Sequence, residues 1–437
     1  MSFPDTLDLL SEFDVARYRL QRRLIGPVYS TSNLKRHEHA IDRVIARLIT
    51  ELKSLNGKEV DLKEWMHIVA VECLGSIVLS WSPGYIKNRS DGGTSKQSYL
   101  GWKRKSVFGL FPTVTKVAYC SKIVSRLWSV LWGVTFKTPK GFKPFFTVRF
   151  PSHCHINGHD HSVSRLSCNQ CAKAFHLLTL PPQAVYQKTS KRISRVLHSR
   201  HLKGRTQHIP PDLLTDLIQL HLDRPQFTDT YLRRLAITNF GAGHETLAST
   251  LTAAMAMIGT HPDVHAKIVR EVRYAAATTA YDDLVHLRYT KASIKEAQRL
   301  YPVIGMSLPR TVPDTGLYLH GRFFPPGTTV GCSPLGLHLN ADIFGKDASR
   351  YNPERWLQDD IRVVRNMERF NLIWGGGGRS CPGRHLAELI IAKVIPALLR
   401  EFDVTVTRMP SEEEMPHYFM SMLTGVKVEF SLPGEGK

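Results

Sequence analysis

The segment WGGGGRSCPG, from Trp374 to Gly383, runs four glycines into a lone cysteine, Cys381. Glycines let a backbone take positive φ and come close to a large flat group. The residues that follow, RHLAELIIAKVIPALL, have the spacing of an amphipathic helix. Cys381 therefore lies at a helix start, where the dipole and free N–H groups favour thiolate over thiol. Arg379, two residues earlier, offers a cation to an anionic partner. A thiolate on such a loop is what a haem iron takes as an axial ligand. The other reading is a flexible glycine turn around a buried structural cysteine.

Two more groups carry chemistry. Ala242-Gly243-His244-Glu245-Thr246 falls in the middle of a long helical pattern. Glycine inside a helix costs about 1 kcal/mol relative to alanine, so Gly241 and Gly243 together predict a local opening. An acid and a hydroxyl beside it would give a small ligand a place and protons a path. Close packing of the helix through small residues accounts for the same glycines. Glu296 and Arg299 share a helix face at i and i+3. Alone such a pair is usually a solvated one of under about 1 kcal/mol. It matters if Arg355, in Asn352-Pro353-Glu354-Arg355-Trp356, joins it as a buried network.

These residues need elements to hold them. Apolar spacing predicts helix over 10–56, and a buried helix through MHIVAVECLGSIVLS after Asp61. From Ser82 to about Arg205 the pattern weakens, and 148–180 shows no period at all. Helices are predicted again after Pro211, from about Thr228 to Ile258, from Pro262, and through TKASIKEAQRL up to Pro302. Short strands are expected around Gly321 and at the C-terminus. The fold class is mainly α with a small β portion.

Composition narrows the function. Of 437 residues, 42% are hydrophobic and 22% charged, so a packed core is possible and wholesale disorder is excluded. The net charge is +20. Residues 86–205 hold 22 Lys and Arg against two acids, Asp91 and Asp160, while the rest of the chain carries 36 of each sign. The excess is thus local; a solvated face is expected, and no nucleic-acid partner. Seven scattered cysteines are too few for a disulfide scaffold. No apolar run is long enough to span a membrane, and the N-terminus has no signal-peptide pattern.

Taken together, these segments resemble the cytochrome P450 family. Its cysteine loop, F-x-x-G-x-R-x-C-x-G, is met at Gly377, Arg379, Cys381 and Gly383, with Trp374 where phenylalanine is usual. Its A/G-G-x-D/E-T motif is met at Ala242 to Thr246, its E-x-x-R at Glu296 and Arg299, and its P-E-R at Pro353 to Arg355. Tyr18-x-x-x-Arg22 resembles its W-x-x-x-R helix. SIVLSWSPGYI, AGHET and YNPERWL look most like fungal microsomal members such as the benzoate para-hydroxylase and pisatin demethylase groups.

The resemblance implies a haem-thiolate monooxygenase that inserts one oxygen atom of O2 into an apolar organic substrate, in secondary or xenobiotic metabolism. Haem b would be the cofactor. Electrons would come from NADPH through NADPH-cytochrome P450 reductase. Cys381 would ligate the iron; Arg22, Arg310 and Arg379 would hold the propionates; Gly377, Gly383 and Trp374 would line the haem. Thr246 and Glu245 would serve oxygen activation, and Glu296, Arg299 and Arg355 would form a structural triad. The family location is the cytoplasmic face of the endoplasmic reticulum; a chain without an anchor would be cytoplasmic.

Two departures set further expectations. Family members carry an anchor, a first helix and most of a β-sheet ahead of the Tyr18 helix. Residues 1–437 therefore read as one cytochrome P450 domain, N-terminally incomplete, with a non-catalytic remnant that binds haem poorly as the alternative. Residues 148–180 match nothing in the family. Cys168-x-x-Cys171 has the spacing of half a zinc site, but no paired second half follows, so an unstructured insertion without metal is expected.

Overall fold

The computed structural model describes residues 9, 12, 14–96, 184–199, 211–275, 279–415 and 419–434. The expected insertion at 148–180 lies outside them. The helix expected over 10–56 is instead broken into pieces, the first break falling at Gly26 and Pro27. Helix α1 (Val15–Ile25) is capped by Asp14, whose side chain accepts from Arg17 N–H, and stops at Gly26, ahead of Pro27. A turn at Thr31–Lys35 leads to α2 (Glu38–Lys53), which buries Ile41, Val44, Ile45, Leu48 and Leu52 on one stripe.

Asp61 caps α3 (Leu62–Leu79), which is buried nearly all round, as its sequence requires. A fourth helix, α4 (Ala184–Ser199), lies in the stretch where the apolar pattern weakens. Its Lys, Arg and Ser residues hide a narrow buried side that includes Thr189 and Ile193. Then come α5 (Leu213–Asp223), α6 (Asp229–Gly259), α7 (Pro262–Tyr274), with proline in its first turn, and α8 (Arg288–Leu300). Two further helices are α9 (Ile361–Phe370) and α10 (Arg384–Glu401).

The β portion is small, as expected. Strand β1 (Val60–Asp61) pairs with β7 (Lys427–Ser431), and β7 with β6 (Asp403–Arg408), all antiparallel. Strands β2 (Leu308–Thr311) and β5 (Thr329–Cys332) form one ladder; β3 (Leu317–Leu319) and β4 (Arg322–Phe324) form a hairpin through Gly321.

The core centres on α6 packed against α3. Gly243 makes this approach possible, because a Cβ there would lie 3.0 Å from Leu74 Cδ1. Lys393 on α10 is 2% exposed and reaches Asp42 and Glu38 of α2 at 2.9 and 3.0 Å, which ties the helix after the cysteine loop to the N-terminal half. Among the described residues no helix is long and apolar enough to cross a membrane.

Candidate functional site

The cysteine loop is built by backbone conformations that only glycine takes cheaply. Gly375 and Gly377 have φ of +71° and +60°. Ser380 N–H closes on Gly377 O at 3.1 Å, and Cys381 N–H on Trp374 O at 2.8 Å. A Cβ at Gly377 or Gly378 would meet nothing within 4 Å, so this part of the loop fronts open space. Cys381 is exposed. Arg379 stacks on Tyr18 of α1, its guanidinium carbon 3.8 Å from the ring centroid. Arg22, one turn further along α1, acts electrostatically on Cys381, as does Arg384. Trp374 sits under the Arg384 guanidinium at 6.0 Å.

The structure thus gathers Tyr18, Arg22, Trp374, Gly377, Arg379, Cys381 and Gly383. Arg310 is the remaining expected propionate partner. It is exposed on β2 and its guanidinium bonds the carbonyl of its own neighbour Pro309 at 2.7 Å. One expectation is reversed. Desolvation within the protein pushes the Cys381 thiol above its ordinary pKa, and the opposing pull of Gly383 N–H, Arg22 and Arg384 is smaller. The helix start by itself does not hold a thiolate; a bound metal ion deprotonates a coordinating thiol outright.

The expected opening in α6 is also absent from the backbone, which is helical without a break across Gly241 and Gly243. Leu74 fills the space at Gly243, and the Thr246 hydroxyl donates to Ala242 O at 2.7 Å and Gly243 O at 3.3 Å. Ala242 is exposed and Thr246 half-buried, while Phe240, His244 and Glu245 around them are buried. Glu245 turns away from that side into the core. Its Oε2 pairs with Lys63 Nζ of α3 at 3.0 Å, and this cation holds its carboxyl below the ordinary range against the cost of burial.

Glu296, Arg299 and Arg355 come together as a buried network. Glu296 Oε1 accepts from Arg299 Nη2 at 2.7 Å and from Arg355 Nε at 2.8 Å; its Oε2 accepts from Arg299 Nε at 2.9 Å and Trp356 Nε1 at 2.8 Å. Arg299 Nη1 donates to the carbonyls of His338 and Ala348, both at 2.6 Å. His338 is a member that sequence reasoning missed. Its Nδ1 lies 3.0 Å from Arg299 O, and its Nε2 accepts from Leu372 N–H at 2.8 Å, at the entrance to the cysteine loop. The ring therefore has to be neutral with its proton on Nδ1.

Burial lowers the His338 pKa to about 4, against a rise from its bond to Arg299 O. An unfolded chain takes up this proton near pH 6.5. The stability that neutral His338 contributes is thus complete above pH 6.5 and is lost as pH falls towards 4, by about 3 kcal/mol. Urea midpoints at pH 7 and pH 5 should differ less in His338→Gln than in the parent chain. An unchanged difference would assign the acid sensitivity elsewhere.

A sequence model described as Cytochrome P450 matches residues 180–430. The cytochrome P450 monooxygenase sdnT of Sordaria araneosa is 55% identical, over 98% of this chain and 75% of that protein. The chain belongs to the cytochrome P450 family. A cytochrome P450 monooxygenase of Penicillium aethiopicum, gsfF, is 28% identical over 95% of this chain and 75% of its own length. Pisatin demethylase of Fusarium vanettenii is 26% identical over 93% and 69%. A cytochrome P450 of this kind is an oxidoreductase, and family membership implies haem. The residues here fit that group: an exposed thiol, an unobstructed glycine face for a flat ring, and guanidinium groups on both α1 and the loop for its carboxylates.

Proposed function

We propose that Cys381 is the axial ligand of haem b, and that this monooxygenase places one atom of O2 in a small apolar organic substrate. Bound haem supplies the oxygen chemistry. The arrangement of the exposed Cys381 thiol between Arg22 and Arg379, on a loop shaped by Gly375 and Gly377, carries the reading. Arg22 and Arg379 hold the propionates, with Arg310 reaching them from β2. Gly377 and Gly383 let the ring lie close, and Trp374 covers the sulfur side. NADPH-cytochrome P450 reductase supplies electrons, at the cytoplasmic face of the endoplasmic reticulum; that partner and address rest on family membership alone.

Thr246 is the hydroxyl on the open side of α6. It releases Ala242 O to hold and pass a proton there. Glu245 serves the same step by position. Lys63 keeps it ionised, so it anchors the turn that carries Thr246 rather than giving up a proton itself. Thr246→Ala should keep haem and the thiolate spectrum but divert reducing equivalents to peroxide, roughly 10-fold or more against product. Unchanged coupling of NADPH use to product would remove Thr246 from the step.

The reaction class is tested by screening apolar compounds for a shift of the haem absorption. With reductase and NADPH, a compound that binds should gain one oxygen-18 atom from labelled O2. Label arriving from water instead would overturn the reading.

A further inference from the structure

Between α3 and α6 lies a polar cluster that the oxygen chemistry leaves largely unused. His67 is fully buried, and Lys63, Asp91, His244 and Glu245 are each at most 5% exposed. His67 Nε2 stands 3.1 Å from His244 Nδ1 and 3.3 Å from Glu245 Oε1, and His244 Nδ1 is 3.6 Å from that same oxygen. Glu245 Oε1 is buried with no hydrogen-bond partner. Its sister oxygen Oε2 is taken by Lys63, which also reaches Ser249 Oγ at 3.3 Å.

We propose that His67, His244 and Glu245 bind a divalent cation of the zinc class. The point equidistant from their three ligand atoms is about 1.9 Å from each, so a cation just outside that plane meets the roughly 2.0–2.2 Å bonds of zinc to imidazole and carboxylate. Two imidazoles with one carboxylate are a borderline-soft donor set and leave one tetrahedral position for water. An outer-shell group stands close by. His67 Nδ1 lies 2.9 Å from Asp91 Oδ2 but outside hydrogen-bond geometry, so a small ring rotation would make the carboxylate contact that orients metal-bound histidines. Asp91 is itself held by the N–H groups of Gly93, Thr94 and Ser95.

The two carboxylates Glu245 and Asp91 outnumber the single cation Lys63, so a divalent cation enters a pocket of net negative charge. It would clamp α3 to α6 at the turn that carries Thr246. The assignment does not depend on that of Cys381.

The test uses the full, haem-loaded chain, equilibrated with zinc ion and freed of excess by gel filtration. One zinc per chain is expected beside the iron. Zinc-edge X-ray absorption should show nitrogen and oxygen neighbours with imidazole scattering and no sulfur. His67→Ala should abolish stoichiometric zinc, Asp91→Asn should weaken it about 10- to 100-fold, and Cys168→Ser should leave it unchanged. A zinc-free chain at excess zinc overturns the proposal. Sulfur in the first shell, or zinc retained by His67→Ala, overturns it too. Should His67→Ala fail to fold, the absorption spectrum of the parent chain decides.

Discussion

Cys381→Ala should erase the carbon monoxide difference band of thiolate-ligated ferrous haem. The effect is all or none, because the band needs a sulfur anion on the iron and alanine offers no donor. Neither other free cysteine among the described residues is placed to substitute. Cys73 is fully buried in α3, and burial raises its thiol pKa far above the ordinary value. Cys332 is exposed, but it ends β5, paired with Leu308 of β2. Cys332→Ala serves as the control and should leave the band intact. A band that survives Cys381→Ala would make the ligand assignment wrong.

Arg299→Ala should yield haem-free, poorly soluble protein. Arg299 and Glu296 are fully buried, and Arg355 is 3% exposed. Removing one partner of a buried pair leaves a charge without compensation and costs about 3–5 kcal/mol. Total stability is only about 5–15 kcal/mol. Here the loss reaches further than the pair, since Arg299 also satisfies the carbonyls of His338, Ala348 and Arg350. Those carbonyls anchor the chain that leads, through His338 and Leu372, into the cysteine loop. Arg299→Lys should not rescue it, because an ammonium cannot donate in the planar fork that spans Glu296 and three carbonyls. Haem content per soluble chain is the measurement. Normal incorporation in Arg299→Ala would show that the network does not support the loop.

The sequence was legible where a local pattern carries the meaning. The glycines before Cys381 announce a tight backbone, and Gly375 and Gly377 do take positive φ. The i, i+3 spacing of Glu296 and Arg299 announces a shared face, and the pair is there. It was not legible where partners are far apart in the chain. Lys63 meets Glu245 across 182 residues, and Trp356 meets Glu296 across 60. No periodicity encodes such meetings. His338 looked like any histidine until the carbonyl and the N–H that fix it were in place. At Cys381 a dipole argument sees the helix start, while desolvation raises the thiol pKa against the pull of Gly383 N–H, Arg22 and Arg384. At Gly243 the packing reading holds, since Leu74 occupies the space that a Cβ would need.

The stack of Arg379 on Tyr18 has a consequence for biosynthesis. Residues about 360 positions apart complete one another's site, with Lys393 bound to Glu38 and Asp42 as a second tie between the same regions. While the ribosome is still making the middle of the chain, α1 has no guanidinium to receive and the cysteine has not been translated. The cofactor cradle is thus among the last parts to assemble, after the slow closure of a very long loop. Until then the nascent chain must keep the apolar faces of α3 and α6 out of contact with other chains. Capture of the ring belongs to the moment after the cysteine loop has met α1.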